Sequence, residues 1–312
     1  MFYDKIKTIL VCYRNIRHYS KSINKLKPPW KILFFGTDNF SLSSLQALNY
    51  RYKQNNIISK LEVVTTIKNK PNAIYKFASK EKLKIHPWPI IPMDGFHIGL
   101  VVSFGYLIPQ NIINSFPLGM LNVHASLLPR WRGAAPIIHA IANGDERTGI
   151  TIMTIKPKHF DIGNIVRQQS VLITDSMVLP ELYKLLADLG SEVLMEELSK
   201  LPENLCSAKP QPNIGITLAP KVTIAFGHLN WNIMTATNIY NLSRALHDLY
   251  PLCTKWGDLI VKLYNVKLSS MEETNSIRPG AMHYDKGVKL LKVQCCDGNW
   301  ISVANVGVRI EE

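Results

Sequence analysis

The sequence predicts an α/β protein with a mostly parallel sheet covered by helices on both faces, followed by a smaller, mainly β domain of Greek-key barrel type. Three observations carry this. Short apolar runs alternate with segments of helical spacing over the first two hundred residues. A stretch rich in proline and polar residues, Leu201 to Pro220, then interrupts the pattern. Beyond it the chain returns to strand-like runs around one helix.

The first run, Lys31 to Phe35, is apolar and stops at Gly36, as a buried parallel strand would. Thr37-Asp38-Asn39 supplies capping residues for a helix over Ser41 to Tyr50. Leu61 to Thr66 predicts a second strand, Gly99 to Phe104 a third, Met120 to Ala125 a fourth and Gly149 to Ile155 a fifth. Ile74, Phe77 and Ala78 give Ala73 to Leu83 helical spacing, and Ala134 to Ala142 reads as a helix. Ile165 to Ile173 alternates moderately, and Pro180 to Leu198 is a long amphipathic helix. After the linker, Val222 to Phe226, Leu259 to Val266, Gly287 to Gln294 and Trp300 to Val306 are strand-like, with a helix over Ala236 to Leu246. The expected domains are therefore 28–200 and 221–312, joined by 201–220. A parallel sheet of this kind binds ligands at the carboxyl ends of its strands. Neither the glycine fingerprint of dinucleotide binding nor a phosphate-binding GxxxxGK[ST] loop is present, which counts against a nicotinamide enzyme and an NTPase.

The 312 residues carry a net charge of +13 and are 46% hydrophobic. No apolar run approaches the roughly 18–20 residues that span a membrane. Charge is concentrated at the start, where residues 1–36 hold eight Lys and Arg against Asp4 alone. Residues 1–27 place Phe2, Ile6, Ile9, Leu10, Tyr13 and Ile16 on one side of a helical wheel, with Lys7 and Arg14 opposite. An acid-poor, basic, amphipathic start is the pattern of a mitochondrial transit segment, directing the protein to the matrix. A basic arm that touches nucleic acid has the same composition. Lys27-Pro28-Pro29-Trp30 reads as an extended joint. The mildly basic body suits polyanionic partners. Five cysteines, without CxxC spacing, read as reduced structural thiols.

The most informative stretch is Leu121-Asn-Val-His-Ala-Ser-Leu-Leu-Pro-Arg-Trp-Arg-Gly133. On a strand, Asn122 and His124 share a face, so an amide donor and an imidazole sit together at the strand's carboxyl end. Such a pair can hold a carbonyl oxygen as it becomes an oxyanion; equally, it can be a buried polar pair bonded to backbone. The continuation Ser126-Leu-Leu-Pro129 closely resembles the signature of the 10-formyltetrahydrofolate-dependent formyltransferases. Ser126 to Ile137, Gly144 to Met153 and Phe160-Asp161-Ile-Gly163 are similar to the branch that acts on methionyl-tRNA. The close likeness covers about residues 98–165, with a weaker one from 31 to 220.

The resemblance implies a Rossmann-like formyltransferase domain joined to an OB-like barrel, with both parts binding tRNA. It implies catalytic roles for Asn122, His124 and Asp161, and folate contacts for Ser126, Leu127, Leu128 and Pro129. The co-substrate is then 10-formyltetrahydrofolate and the acceptor initiator methionyl-tRNA, on a protein expected to be a monomer without a membrane. The chemistry requires no metal, and His86, His97, His139 and His159 show no ligand spacing. Arg130, Trp131 and Arg132 are expected at the rim of the site, the arginines on tRNA phosphates and the indole under an unpaired base. Three departures stand out. Asn164 replaces the family's second loop aspartate, Lys68-Asn-Lys70-Pro71 replaces a longer basic insertion, and Asn230-Trp231 replaces an acidic Asp-Trp pair. The rival readings are a formyltransferase of a sugar or glycinamide amine, and an inactive tRNA-binding protein. The length beyond residue 200 opposes the glycinamide reading, and the retained Asn122, His124 and Asp161 oppose the inactive one.

Residues 1–27 fused to a fluorescent reporter should carry it into mitochondria. A cytosolic reporter, with weak tRNA binding by residues 28–312, would make the segment a nucleic-acid arm instead.

Overall fold

A computed structural model describes residues 26–67, 70–270 and 278–310. Most of the expected transit segment, and Lys68 and Asn69 of the short basic loop, lie outside the described residues. By contacts the chain forms two compact units. The first combines the described residues up to Arg132 with Gly149–Gln169 and Leu185–Ile216; the second combines Gly133–Thr148, Ser170–Lys184 and the chain from Thr217 onward.

The first unit is built on β1 (Trp30–Gly36), α1 (Asn39–Lys53), β2 (Ile58–Thr65), α2 (Ala73–Lys80), β3 (Lys84–Pro87), β4 (Ile98–Val102), α3 (Gln110–Asn114) and β5 (Met120–His124). Strands β6 (Arg147–Thr154) and β7 (Ile165–Leu172) complete a seven-stranded sheet of order β3-β2-β1-β4-β5-β6-β7. The first five strands pair in parallel, and β6 runs antiparallel to β5. β1 is buried along Ile32 to Gly36 and β4 along its whole length, which is why both read as unbroken apolar runs. Trp30 belongs to the strand rather than to the joint before it. Its ring is buried, and its indole N–H donates to the Leu198 carbonyl at 3.1 Å. Asp38 caps α1 by accepting from the Ser41 amide, within a full capping box. β3 is not legible in the sequence. It is a four-residue edge strand ending in Pro87 with no fully buried position, so it shows neither an apolar run nor alternation.

α5 (Leu179–Ser199) and α6 (Glu203–Cys206) follow β7. The expected linker is structured in its first part, where Ile165 and Lys209 exchange backbone hydrogen bonds at 2.7 and 2.9 Å.

The second unit contains α4 (Pro136–Ala142), α7 (Ala236–Ala245) and an antiparallel sheet of β8 (Leu252–Trp256), β9 (Leu259–Ser269), β10 (Met282–Asp285), β11 (Leu290–Gln294) and β12 (Trp300–Ile310). The order is β10-β11-β12-β9-β8. One core binds the unit, including Ile239, Leu242, Leu252, Leu263, Val293, Ile301 and Val303. Ala135, Ile138 and Ala142 pack on that core, which is why α4 groups here although the sequence places it early in the chain. The strand expected at Val222 to Phe226 is a 3₁₀ turn over Ile224–Gly227. Gly227 presses close to the Pro251 carbonyl, 2.8 Å from where a Cβ would stand, so the chain bends there rather than extends. β8 and β10 add to the expected strands; β8 starts just after Pro251 and β10 buries no residue fully, so neither announces itself as an apolar run. Trp231 donates its indole N–H to Thr254 at 2.8 Å, while the Asn230 side chain accepts from the Asn232 amide at 3.1 Å.

Burial raises the Cys253 thiol above its usual range and, with help from Asp297, pushes Cys295 up to about 12. Both thiols are therefore protonated and unreactive at neutral pH, whereas Cys206 is exposed. A maleimide at pH 8 should label Cys206 in the native protein. Peptide mapping should find Cys253 and Cys295 modified only after unfolding; their prompt labelling in the native state would contradict the packing.

Candidate active site

The strand order reverses between β1 and β4, and the carboxyl ends of the strands at such a reversal are where sheets of this kind take ligands. Side chains staple the two ends together. The Thr37 hydroxyl donates to the Ser103 carbonyl at 2.8 Å, and the Ser103 hydroxyl donates to Asp38. Ser103 has φ of +46°, so the chain turns sharply as it leaves β4.

β5 brings the next pair to the same edge. Asn122 is half-buried and His124 is 6% exposed, and they share one face of the strand. Asp161 comes from the loop after β6, is 9% exposed, and directs Oδ1 at both. Asn122 Nδ2 lies 3.5 Å from that oxygen and His124 Nδ1 lies 3.6 Å from it. These separations exceed those of strong hydrogen bonds. His124 Nε2 sits 2.9 Å from the Trp131 carbonyl, an acceptor only, so Nε2 carries a proton there. The three residues expected to act together are thus brought together.

The Asp161 loop is held by backbone. Asp161 itself has φ of +55°, a conformation that costs a non-glycine residue on the order of 1 kcal/mol. Two residues on, a Cβ at Gly163 would stand 1.5 Å from the Thr154 carbonyl oxygen, so only glycine fits. Thr154 N–H donates to the Asn164 carbonyl at 2.9 Å, and Asn164 N–H donates to the Thr154 hydroxyl at 3.0 Å.

The Ser126 to Pro129 stretch is fixed by a second set of bonds. The Ser126 hydroxyl donates to the Arg130 carbonyl at 2.6 Å. The Thr151 hydroxyl donates to the Ser126 carbonyl at 2.6 Å and accepts from the Leu128 amide at 3.1 Å and from Gln168 at 2.9 Å. Gln168 also donates to the Leu128 carbonyl at 2.9 Å. Ser126 and Leu128 are buried; Leu127 and Pro129 are half-buried. Thr151, Gln168 and Gln211 bond the loops beside these residues, and sequence reasoning does not single them out. A threonine inside the apolar run Ile150 to Met153 is the available signal for the first, and a glutamine between two prolines for the last.

The expected rim residues are placed unequally. Trp131 does not offer an open stacking face. It is 9% exposed, with φ of +63° turning the chain so that the indole packs inward, and the Arg130 guanidinium lies 4.4 Å over its ring. Arg132 is half-buried and donates through Nε and Nη2 to the side-chain oxygen of Gln211, at 3.0 and 2.6 Å. Among the described residues, no three His, Cys, Asp or Glu side chains gather as a metal site would need.

Residues 95–198 match the formyl transferase family, and residues 221–309 match the formyl transferase C-terminal domain. The mitochondrial methionyl-tRNA formyltransferase of Rattus norvegicus is 40% identical over 295 residues, covering 90% of this chain and 75% of the relative. The chain belongs to the methionyl-tRNA formyltransferase family. The mitochondrial enzyme of Homo sapiens is 38% identical over 296 residues, with the same coverage, and that of Fusobacterium nucleatum is 30% identical over 290 residues, covering 87% of this chain and 90% of the relative. The fold is shared with WlaRD, a sugar 3N-formyl transferase crystallised with dTDP and 5-N-formyl-THF, at a TM-score of 0.65 and 21% identity over 88% of this chain and 97% of that one. HypX from Aquifex aeolicus, in complex with tetrahydrofolic acid, superposes with a TM-score of 0.58 at 15% identity, over 91% of this chain and 44% of that one. The β5 end and the Asp161 loop lie within the residues that match the formyl transferase family.

Gly163→Ala should move the loop and lower kcat by roughly 100-fold, the scale expected when a reacting group is displaced by about 1 Å. Steady-state kinetics on a variant with a native circular dichroism spectrum checks this, and wild-type turnover would show that the close approach to Thr154 is not needed.

Proposed function

We propose that this chain transfers the formyl group of 10-formyltetrahydrofolate to the amino group of initiator methionyl-tRNA, acting as a monomer in the mitochondrial matrix. The convergence of Asn122 and His124 on Asp161 Oδ1 at the carboxyl end of β5 carries this reading.

The neutral amine of the methionyl group attacks the formyl carbon, and a C–N bond forms. The carbonyl electron pair moves to oxygen, giving a tetrahedral oxyanion. Collapse breaks the bond to N10 of the folate, which takes up the proton the amine has lost. The products are N-formylmethionyl-tRNA and tetrahydrofolate. Asn122 and His124 stabilise the oxyanion in a site where His124 and Asp161 are nearly dry. Asp161 orients the imidazole, since its carboxylate faces Nδ1. It also passes on the amine proton through water. The folate meets the loop after β5 through the half-buried Leu127 and Pro129 and their peptide groups, while the Ser126 and Leu128 side chains build that loop from inside. Arg130 and Arg132 meet the acceptor-arm phosphates, and Trp131 supports Arg130 from below.

Incubation with 10-formyltetrahydrofolate and charged initiator methionyl-tRNA should yield formylmethionine, and a nucleotide-sugar amine or glycinamide should not replace the tRNA. His124→Ala should keep the fold and lose 100-fold or more in kcat. Near-normal turnover of that variant would remove the assignment. Arg130→Ala should raise KM for methionyl-tRNA, more so at low salt, with the affinity for 10-formyltetrahydrofolate unchanged. A selective loss of folate affinity would instead place Arg130 at the co-substrate.

A further inference from the structure

Gln211 lies in Pro210-Gln-Pro212, some fifty residues beyond the Asp161 loop in sequence, yet it touches that loop directly. Its Nε2 donates to the Asp161 carbonyl at 2.8 Å and to the Gly163 carbonyl at 2.9 Å. Its Oε1 accepts both Arg132 bonds, from Nε and Nη2. Two donors and two acceptors exhaust an amide side chain. The amide therefore has one workable orientation. A flip would point NH₂ at a guanidinium and the oxygen at two carbonyls, turning all four contacts repulsive.

We infer that Gln211 is a positioning residue for formyl transfer, acting through Asp161. The inference rests on the reading of Asp161 as a member of the catalytic trio. Three features point the same way. Asp161 sits at φ of +55°, so its backbone does not hold that shape unaided. The Thr154 bonds grip the loop at Asn164, beside the close approach at Gly163, on the far side of Asp161. Gln211 supplies a hold at Asp161 itself, on the carbonyl of the residue whose carboxylate faces Asn122 and His124. Through Oε1 it also ties that loop to Arg132, eight residues after His124 on the chain leaving β5. One side chain thus spans the two segments that carry the trio. Flanking prolines limit the backbone freedom of Gln211, so it serves as a fixed strut.

Gln211→Glu is the informative change. It keeps an acceptor for Arg132, and it puts a second oxygen where Asp161 and Gly163 present carbonyls. Formyl transfer should be measured with 10-formyltetrahydrofolate and methionyl-tRNA on full-length protein, for wild type, Gln211→Glu, Gln211→Ala, Asp161→Asn and the Gln211→Ala/Asp161→Asn pair. Both single Gln211 variants should lose about tenfold or more in kcat, with KM for either substrate within about twofold. In the Asp161→Asn background, Gln211→Ala should cost almost nothing further, because residues acting as one unit are non-additive. Multiplying losses would overturn the proposal, as would a full kcat in Gln211→Glu. A KM increase confined to methionyl-tRNA would also overturn it, assigning Gln211 to Arg132 rather than to Asp161. If Gln211→Ala does not fold, Gln211→Glu in the two backgrounds gives the same comparison. An inactive wild type would fail the formyl-transfer reading itself, and normal turnover in Asp161→Asn would fail the trio; both are distinct from a failure at Gln211.

Discussion

The carbonyl oxygen of Thr154 occupies the space where residue 163 would carry a side chain, and the site depends on that approach. It brings the loop after β6 down onto the end of its own strand, closely enough for Thr154 and Asn164 to exchange hydrogen bonds. Only then does Asp161, two residues earlier, stand beside β5 with its carboxylate facing Asn122 and His124. Two features share the cost of this shape. Glycine at 163 removes the steric barrier, and hydrogen bonds from the surroundings offset the left-handed backbone at 161.

β6 fixes the site at two places. It runs antiparallel to β5, with Thr151 opposite His124 and Met153 opposite Asn122. At 151 its threonine hydroxyl organises the Ser126–Leu128 backbone; at 154 its peptide and hydroxyl organise the Asp161 loop. The loops on either side of the trio are thus held by one strand that is buried along most of its length. Buried polar groups in such a strand are costly unless fully bonded, and the hydroxyl of Thr151 uses one donation and two acceptances. Full bonding is what allows a polar group there to hold shape rather than weaken the core.

This distribution explains what is legible in the sequence. β1, β4 and β5 are buried apolar runs, so their burial is written in composition, and the side-by-side placement of Asn122 and His124 follows from strand periodicity. Edge strands such as β3 and β10 bury nothing completely, and hydrophobic pattern has no purchase on them. Asp161 alone looks like an ordinary turn residue; its resemblance to a family motif, not its local chemistry, singles it out. Trp131 departs from expectation because sequence distance from a catalytic strand says nothing of exposure, and a positive φ at that residue turns its ring into the interior. Gln211 is invisible for a different reason. Its partners are backbone carbonyls some fifty residues away, and main-chain acceptors leave no residue type to recognise.

The sequence resemblance sets Asn164 where a second loop aspartate is expected. What the loop takes from this residue is its peptide group, donating to the Thr154 hydroxyl and accepting from the Thr154 amide. Neither bond depends on the side chain, so replacing a carboxylate by an amide leaves the anchoring of the loop intact. The change also leaves Asp161 as the sole acidic residue between Lys156 and Asn164. That single carboxylate is the one that faces Asn122 and His124. The departure therefore removes a charge from the loop while keeping its geometry.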